Sequence, residues 1–173
     1  MKLWIAALLA LLAAPAVAQQ AEHGHSGHPP YAGFEQREIK ALSEQQMADL
    51  RAGRGLGLAL AAELNGYPGP LHVLELADRL RLTPEQKYRV QRLFQSMKGE
   101  AIAAGENLIA SERELDQLFA THTMTAARLT SLMVQIGERQ GELRAVHLKY
   151  HLATAELLSD SQKQRYGELR GYR

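Results

Sequence analysis

Apolar residues recur three and four positions apart along two long stretches of this chain. Between residue 84 and about residue 120 they are Val90, Leu93, Met97, Ala101, Ala104, Leu108, Leu115 and Phe119. Between 126 and 157 they are Leu129, Leu132, Ile136, Leu143, Val146, Tyr150 and Leu157. Such steps draw a continuous apolar stripe down one face of a helix. The connection between the stretches, 121–125, is short, so the two helices must fold back as an antiparallel hairpin. At 1.5 Å per residue each arm is roughly 50 Å long. A hairpin cannot bury both stripes on its own, so shorter helices, a partner subunit, or both must cover them. No segment alternates with the period of a strand. The fold class expected is all-α, a long helical hairpin with shorter flanking helices.

Upstream, a first helix is predicted to start at Ser43, or earlier near Glu35, and to run through Met47, Leu50 and Leu58 towards Leu64. Gly53, Gly55 and Gly57 weaken it by about 1 kcal/mol each against alanine. The run 65–70 is dense in turn residues and breaks it. A short helix, 71–81, is expected next.

Three helix starts carry the same chemistry. Leu42-Ser43-Glu44-Gln45-Gln46, Leu82-Thr83-Pro84-Glu85-Gln86 and Leu158-Ser159-Asp160-Ser161-Gln162 each read Leu-[Ser/Thr]-x-x-Gln. The hydroxyl accepts from the amide three residues on, and the glutamine reaches back to the cap's own amide. Pro84 suits the first turn, where the missing amide has no intrahelical partner to lose. The second and third copies extend further, to Gln86-Lys87-x-Arg89-x-x-x-Leu93 and Gln162-Lys163-x-Arg165-x-x-x-Leu169.

Two extended copies bracketing a long helical stretch resemble the Spy and CpxP family of small periplasmic stress proteins, whose signature is a pair of LTxxQ motifs. The resemblance covers roughly residues 71–173. Its broader superfamily includes periplasmic heavy-metal-binding proteins such as ZraP and CnrX. The resemblance implies a bent hairpin that dimerises into a shallow cradle. It also implies ATP-independent holding of unfolded or misfolded envelope proteins, and in CpxP-like members the damping of a sensor kinase. On this reading Leu82, Thr83, Gln86, Leu158, Ser159 and Gln162 serve helix entry rather than client contact.

The beginning of the chain fits that setting. Lys2, the apolar run 3–14 and Ala16-Val17-Ala18 read as a secretory signal peptide, residues 1–18, cleaved after Ala18. The apolar run is shorter than the roughly 20 residues a membrane span needs, so a free periplasmic protein is expected rather than stable membrane insertion. The sequence contains no cysteine, which leaves no disulfide and no lipid-bearing cysteine. Its 20 Lys and Arg include Lys2, so beyond that residue 19 bases face 19 Asp and Glu. No strong field then draws the protein to nucleic acid. Residues 19–34, rich in Gly, His and Pro, read as a disordered tail, and 35–173 as one helical domain.

Enzyme signatures are absent: there is no G-x-S-x-G, no H-E-x-x-H and no cysteine nucleophile. Gly53-x-Gly55-x-Gly57 follows no strand and falls short of a phosphate-binding loop. A non-enzymatic protein that requires no cofactor is the expectation. Histidine is the exception. His23, His25 and His28 form an H-x-H-x-x-H cluster suited to zinc, copper or nickel, or a solvated polar tail. His147 and His151, at i,i+4, share a helical face and can share a metal, with Glu142 or Glu156 as a further ligand. They read equally as core-edge histidines beside Leu143 and Tyr150. His72 and His122 stand isolated. Finally, Arg89 and Arg92 with Leu93, Phe94 and Met97 make a basic and apolar surface that, in a Spy-type protein, would capture clients. Met47, Met124 and Met133 add adaptable contact area.

Overall fold

In a computed structural model, the described residues are 31–172. The expected signal peptide and His23, His25 and His28 lie outside them. Every regular element is helical and no strand occurs among the described residues. After a 3-10 turn at Phe34–Gln36 come α1 (Glu44–Arg51), α2 (Leu60–Glu63), α3 (Pro70–Glu75), α4 (Pro84–Ala120), α5 (Ala126–Leu157) and α6 (Asp160–Arg170). No helix among them is long and apolar enough to cross a membrane.

The expected capping boxes close α1, α4 and α6. Ser43, Thr83 and Ser159 each accept from the amide three residues on, while Gln46, Gln86 and Gln162 accept from the cap amides. The glutamines of the second and third boxes do more, because α4 and α6 start side by side. Gln86 Nε2 donates to Gln162 Oε1 at 3.0 Å, and Gln162 Nε2 donates back to Gln86 Oε1 at 3.1 Å. Their remaining hydrogens reach the carbonyls of Leu157 (2.8 Å) and Leu80 (3.3 Å). Each amide thus uses two donors and two acceptor sites, its full capacity. This clasp fixes the open end of the hairpin to the chain entering α4.

The hairpin arms have the predicted bounds. Thr121 closes α4, and His122 turns the chain at φ 56°, its amide bonding Phe119 O while that of Thr123 bonds Leu118 O. The paired bonds across a left-handed residue are a Schellman closure. Two apolar clusters cover the arms. In the first, Ile39, Met47 and Leu50 pack on Ala101, Ala104, Leu108 and Ile109 of α4 and on Ile136 and Leu143 of α5. In the second, Val73, Leu80, Val90, Leu158 and Tyr166 bury the open end, with Leu82 against them. Fully burying an aliphatic side chain contributes about 1.5–3 kcal/mol, so Leu132, Ile109, Val90 and Val73, all under 1% exposed, are principal anchors.

Two predicted short helices differ from expectation. The first helix does not reach Leu64; α1 stops at Arg51 and α2 is a separate turn. Gly53 adopts φ 65° and lies where a Cβ would sit 2.9 Å from Lys98 O. A carbonyl of the same segment, Leu50 O, lies 2.7 Å from where Gly105 would carry a Cβ. The end of α1 therefore docks directly on the backbone of α4, which a continuous helix through 53 could not do. The second, expected over 71–81, is α-helical only to Glu75 and ends in a Schellman closure with Arg81 at φ 51°.

Candidate functional site: a cavity beneath the short helices

The segment 52–72 bridges the hairpin and covers part of a half-open cavity of about 530 Å³. One wall is the glycine-containing loop with Leu56 and Leu60; the opposite wall is Phe94 and Met97 of α4. His147 and His151 of α5 form the floor, and Arg170 and Tyr172 close one side. Small-molecule sites typically measure about 300–1,000 Å³ and combine apolar walls with a few convergent polar groups.

Glu63, on α2, is the polar hub beside the floor, 6% exposed. Tyr166 and Tyr172 both donate to its Oε1, the latter at 3.2 Å, and the amide of Gly69 donates to Oε2 at 3.1 Å. The guanidinium of Arg170 lies 3.7 Å away. A buried carboxylate is tolerated when charge and hydrogen bonds compensate it so fully. Burial and the Glu63 bond push the Tyr166 phenol well above its usual range, so it stays a donor. His151 Nδ1 donates to Tyr67 O at 2.7 Å and stands 3.6 Å from Glu63 Oε2.

His147 differs. It is 3% exposed, yet neither ring nitrogen has a hydrogen-bond partner among the described residues, and Nε2 is completely enclosed. Burial, reinforced by the neighbouring His151, holds its pKa below the ordinary histidine value. The ring is therefore neutral at neutral pH, with one N–H and one lone pair to offer.

Comparison with family models, with curated proteins and with solved structures finds no match.

The histidine pair is thus brought together and buried, but not with the carboxylates expected from its own helix. Glu142 is exposed and pairs with Arg139 at 2.9 Å, and Glu156 is exposed. The carboxylate facing His151 is Glu63, which sequence spacing gave no reason to select. Among the described residues no group of three or more His, Cys, Asp or Glu is placed to hold a metal ion. Glu63 has both oxygens engaged already, so the pair does not fit a closed zinc, copper or nickel set as it stands. His72 pairs with Glu75 at 3.0 Å, and His122 serves the hairpin turn.

The expected client surface divides. Arg89 and Arg92 are exposed and Leu93 is half-buried, whereas Phe94 and Met97 turn inward and line the cavity, Met97 at only 8% exposed. Exposed apolar side chains occur elsewhere: Leu56, Leu60, Leu64, Tyr67 and Leu71 along the bridging segment, and Phe119, Met133 and Val134 towards the hairpin turn.

Proposed function

We propose that this chain is an ATP-independent periplasmic chaperone or envelope-stress protein that holds unfolded or misfolded envelope proteins on a helical cradle built by a homodimer. The observation that carries this reading is the run of exposed apolar residues on the bridging segment, from Leu56 at 43% to Leu64 at 58% exposed. Large apolar side chains exposed on one segment are candidates for protein contact. Support comes from the two LTxxQ-like motifs, which meet in the Gln86–Gln162 clasp and so act together in holding the hairpin. Exposed cations on the first turns of α4, Arg89 and Arg92 among them, would speed encounter with acidic clients. The test is suppression of aggregation of a chemically unfolded client by metal-free residues 19–173 at near-stoichiometric ratio without ATP. Suppression that is lost when Leu60 and Leu64 are changed to Ser supports the reading. Absence of suppression by the parent protein overturns it.

A second reading is a periplasmic heavy-metal-binding protein for zinc, copper or nickel, acting in resistance or as a sensor. The specific observation behind it is His147, buried and unpartnered beside His151. Its missing ligands would have to come from a partner subunit, and the His23, His25 and His28 cluster is a separate candidate site. Zinc titration followed by calorimetry decides: binding weakened by deleting residues 19–30 or by His147→Ala supports it, and no binding dismisses it. A role in damping a sensor kinase would be revealed by co-purification of the kinase's sensor domain.

A further inference from the structure

We propose that the cavity beneath the short helices binds a free fatty acid, its carboxylate taken at His147 and its chain laid along the apolar walls. This goes beyond the chaperone reading and does not depend on it. Three observations converge on that ligand class. The first is the imidazole of His147, which lines the cavity: its Nε2 is enclosed without a partner, which leaves Nδ1 as the ring nitrogen a guest can reach. Nδ1 lies on the side of Gly55, 3.9 Å from where a Cβ would stand there, so an N–H at that atom is offered towards the loop. As an N–H, that atom donates to a carboxylate oxygen.

The second is charge. The lining holds the cations Arg54, Lys98 and Arg170 against the single carboxylate Glu63. Arg54 is paired with Asp49 at 2.5 Å and Arg170 is held near Glu63, but Lys98 is exposed and makes no ion pair among the described residues. The uncompensated charge favours an anion over a neutral or cationic guest. The third is shape: Leu56, Leu60 and Leu71 line the cavity while remaining 43%, 55% and 41% exposed, so apolar surface continues from inside to outside. A hydrocarbon chain longer than the enclosed volume can extend along it, gaining burial as it goes.

The probe is decanoate, titrated calorimetrically below its micellar concentration into the metal-free protein in EDTA, with decanol as the uncharged comparison. The expected result is one decanoate per chain, with decanol at least tenfold weaker. Gly55→Leu places a side chain across the face of His147 and should abolish binding; a Cβ there meets nothing closer than 3.9 Å, so the fold has room for it. His147→Leu should weaken decanoate at least fivefold. Circular dichroism checks that each variant is folded, and if Gly55→Leu is not, Lys98→Glu on the exposed rim takes its place with the same expected loss. Equal affinity for decanol, many decanoates per chain, or parental binding by the folded variants would overturn the proposal.

Discussion

The clasp between Gln86 and Gln162 makes a quantitative prediction that separates it from ordinary helix capping. Gln86→Ala removes the bonds to Thr83 N, to Leu157 O and both bonds to Gln162, four in all. Gln162→Ala removes the bonds to Ser159 N, to Leu80 O and the same two shared bonds, again four. A hydrogen bond contributes about 0.5–1.5 kcal/mol net, so each substitution should cost roughly 2–6 kcal/mol. For a chain of this size that is a fall in Tm of roughly 4–24 °C. The double variant loses six bonds rather than eight, because two are common to both singles. Its cost should therefore fall short of the sum by about 1–3 kcal/mol, the signature of direct coupling. Gln46→Ala is the internal control. It breaks an equivalent capping box whose glutamine makes no further side-chain bond among the described residues, and should cost only about 1 kcal/mol. The assay is urea and thermal unfolding followed by the helical circular dichroism signal. Additivity of Gln86→Ala and Gln162→Ala within about 0.5 kcal/mol would refute the clasp and leave two independent caps.

Other outcomes follow from single sites. Thr83→Ala, which leaves the amide of Gln86 without its cap, should lower stability by about 1 kcal/mol, and an unchanged melting curve would contradict the capping role. Gly105→Ala should destabilise by about 2 kcal/mol despite better helix propensity, since its Cβ would meet Leu50 O at 2.7 Å; Gly137→Ala, with nothing within 4 Å, should stabilise by about 0.5–1 kcal/mol. Thermal melts of the two variants side by side check the contrast. His147 is held below its ordinary value of 6.5 by burial, so the unfolded chain takes up this proton first as pH falls. Its share of stability is present above pH 6.5 and is lost as pH drops from there towards the folded pKa. Melting temperatures at pH 7.5 and 5.5 should therefore show a drop that His147→Leu reduces; the same drop in both proteins would assign it elsewhere.

The hairpin was legible because its signals are local and repeated. A stripe sustained over α4 and α5 outweighs any single residue, and the Thr83 capping box marks where the first arm begins. The short helices were not legible for the opposite reason. α1 ends in a Schellman closure on Gly53, at φ 65°, with Gly53 N bonded to Leu50 O at 3.1 Å and Arg54 N to Asp49 O at 2.9 Å, but nothing in the sequence announces the carbonyl of Lys98 against which that end docks. Arg81 likewise takes a left-handed conformation that favours glycine, and the chain accepts it because Leu80 and Leu82 are packed on the second cluster. Tertiary burial overrides local preference at Arg81. The inward turn of Met97 has the same origin: an amphipathic helix assigns a residue to the apolar stripe but does not say which neighbour will cover it.

The histidine pair shows where sequence reading of a site stops. Spacing placed His147 and His151 on one face, but it could search for a carboxylate only among neighbouring turns, and those point to solvent. Glu63 reaches the pair because α2 is laid against α5 and held there by Tyr166 and Tyr172 from the far end of the chain. The same α6 that supplies Tyr166 also carries Gln162, so one short helix joins the motif clasp to the wall of the cavity. Along α6 itself only Tyr166 and Gly167 are buried. Tyr166, with Leu169 beside it, ties the helix to the second apolar cluster, and two polar nodes, one at Gln86 and one at Glu63, add to that hold. Loosening either node should be felt at the other, and through Tyr172 and Arg170 at the cavity they border. In this molecule the LTxxQ-like motifs are thus physically continuous with the cavity that His147 lines.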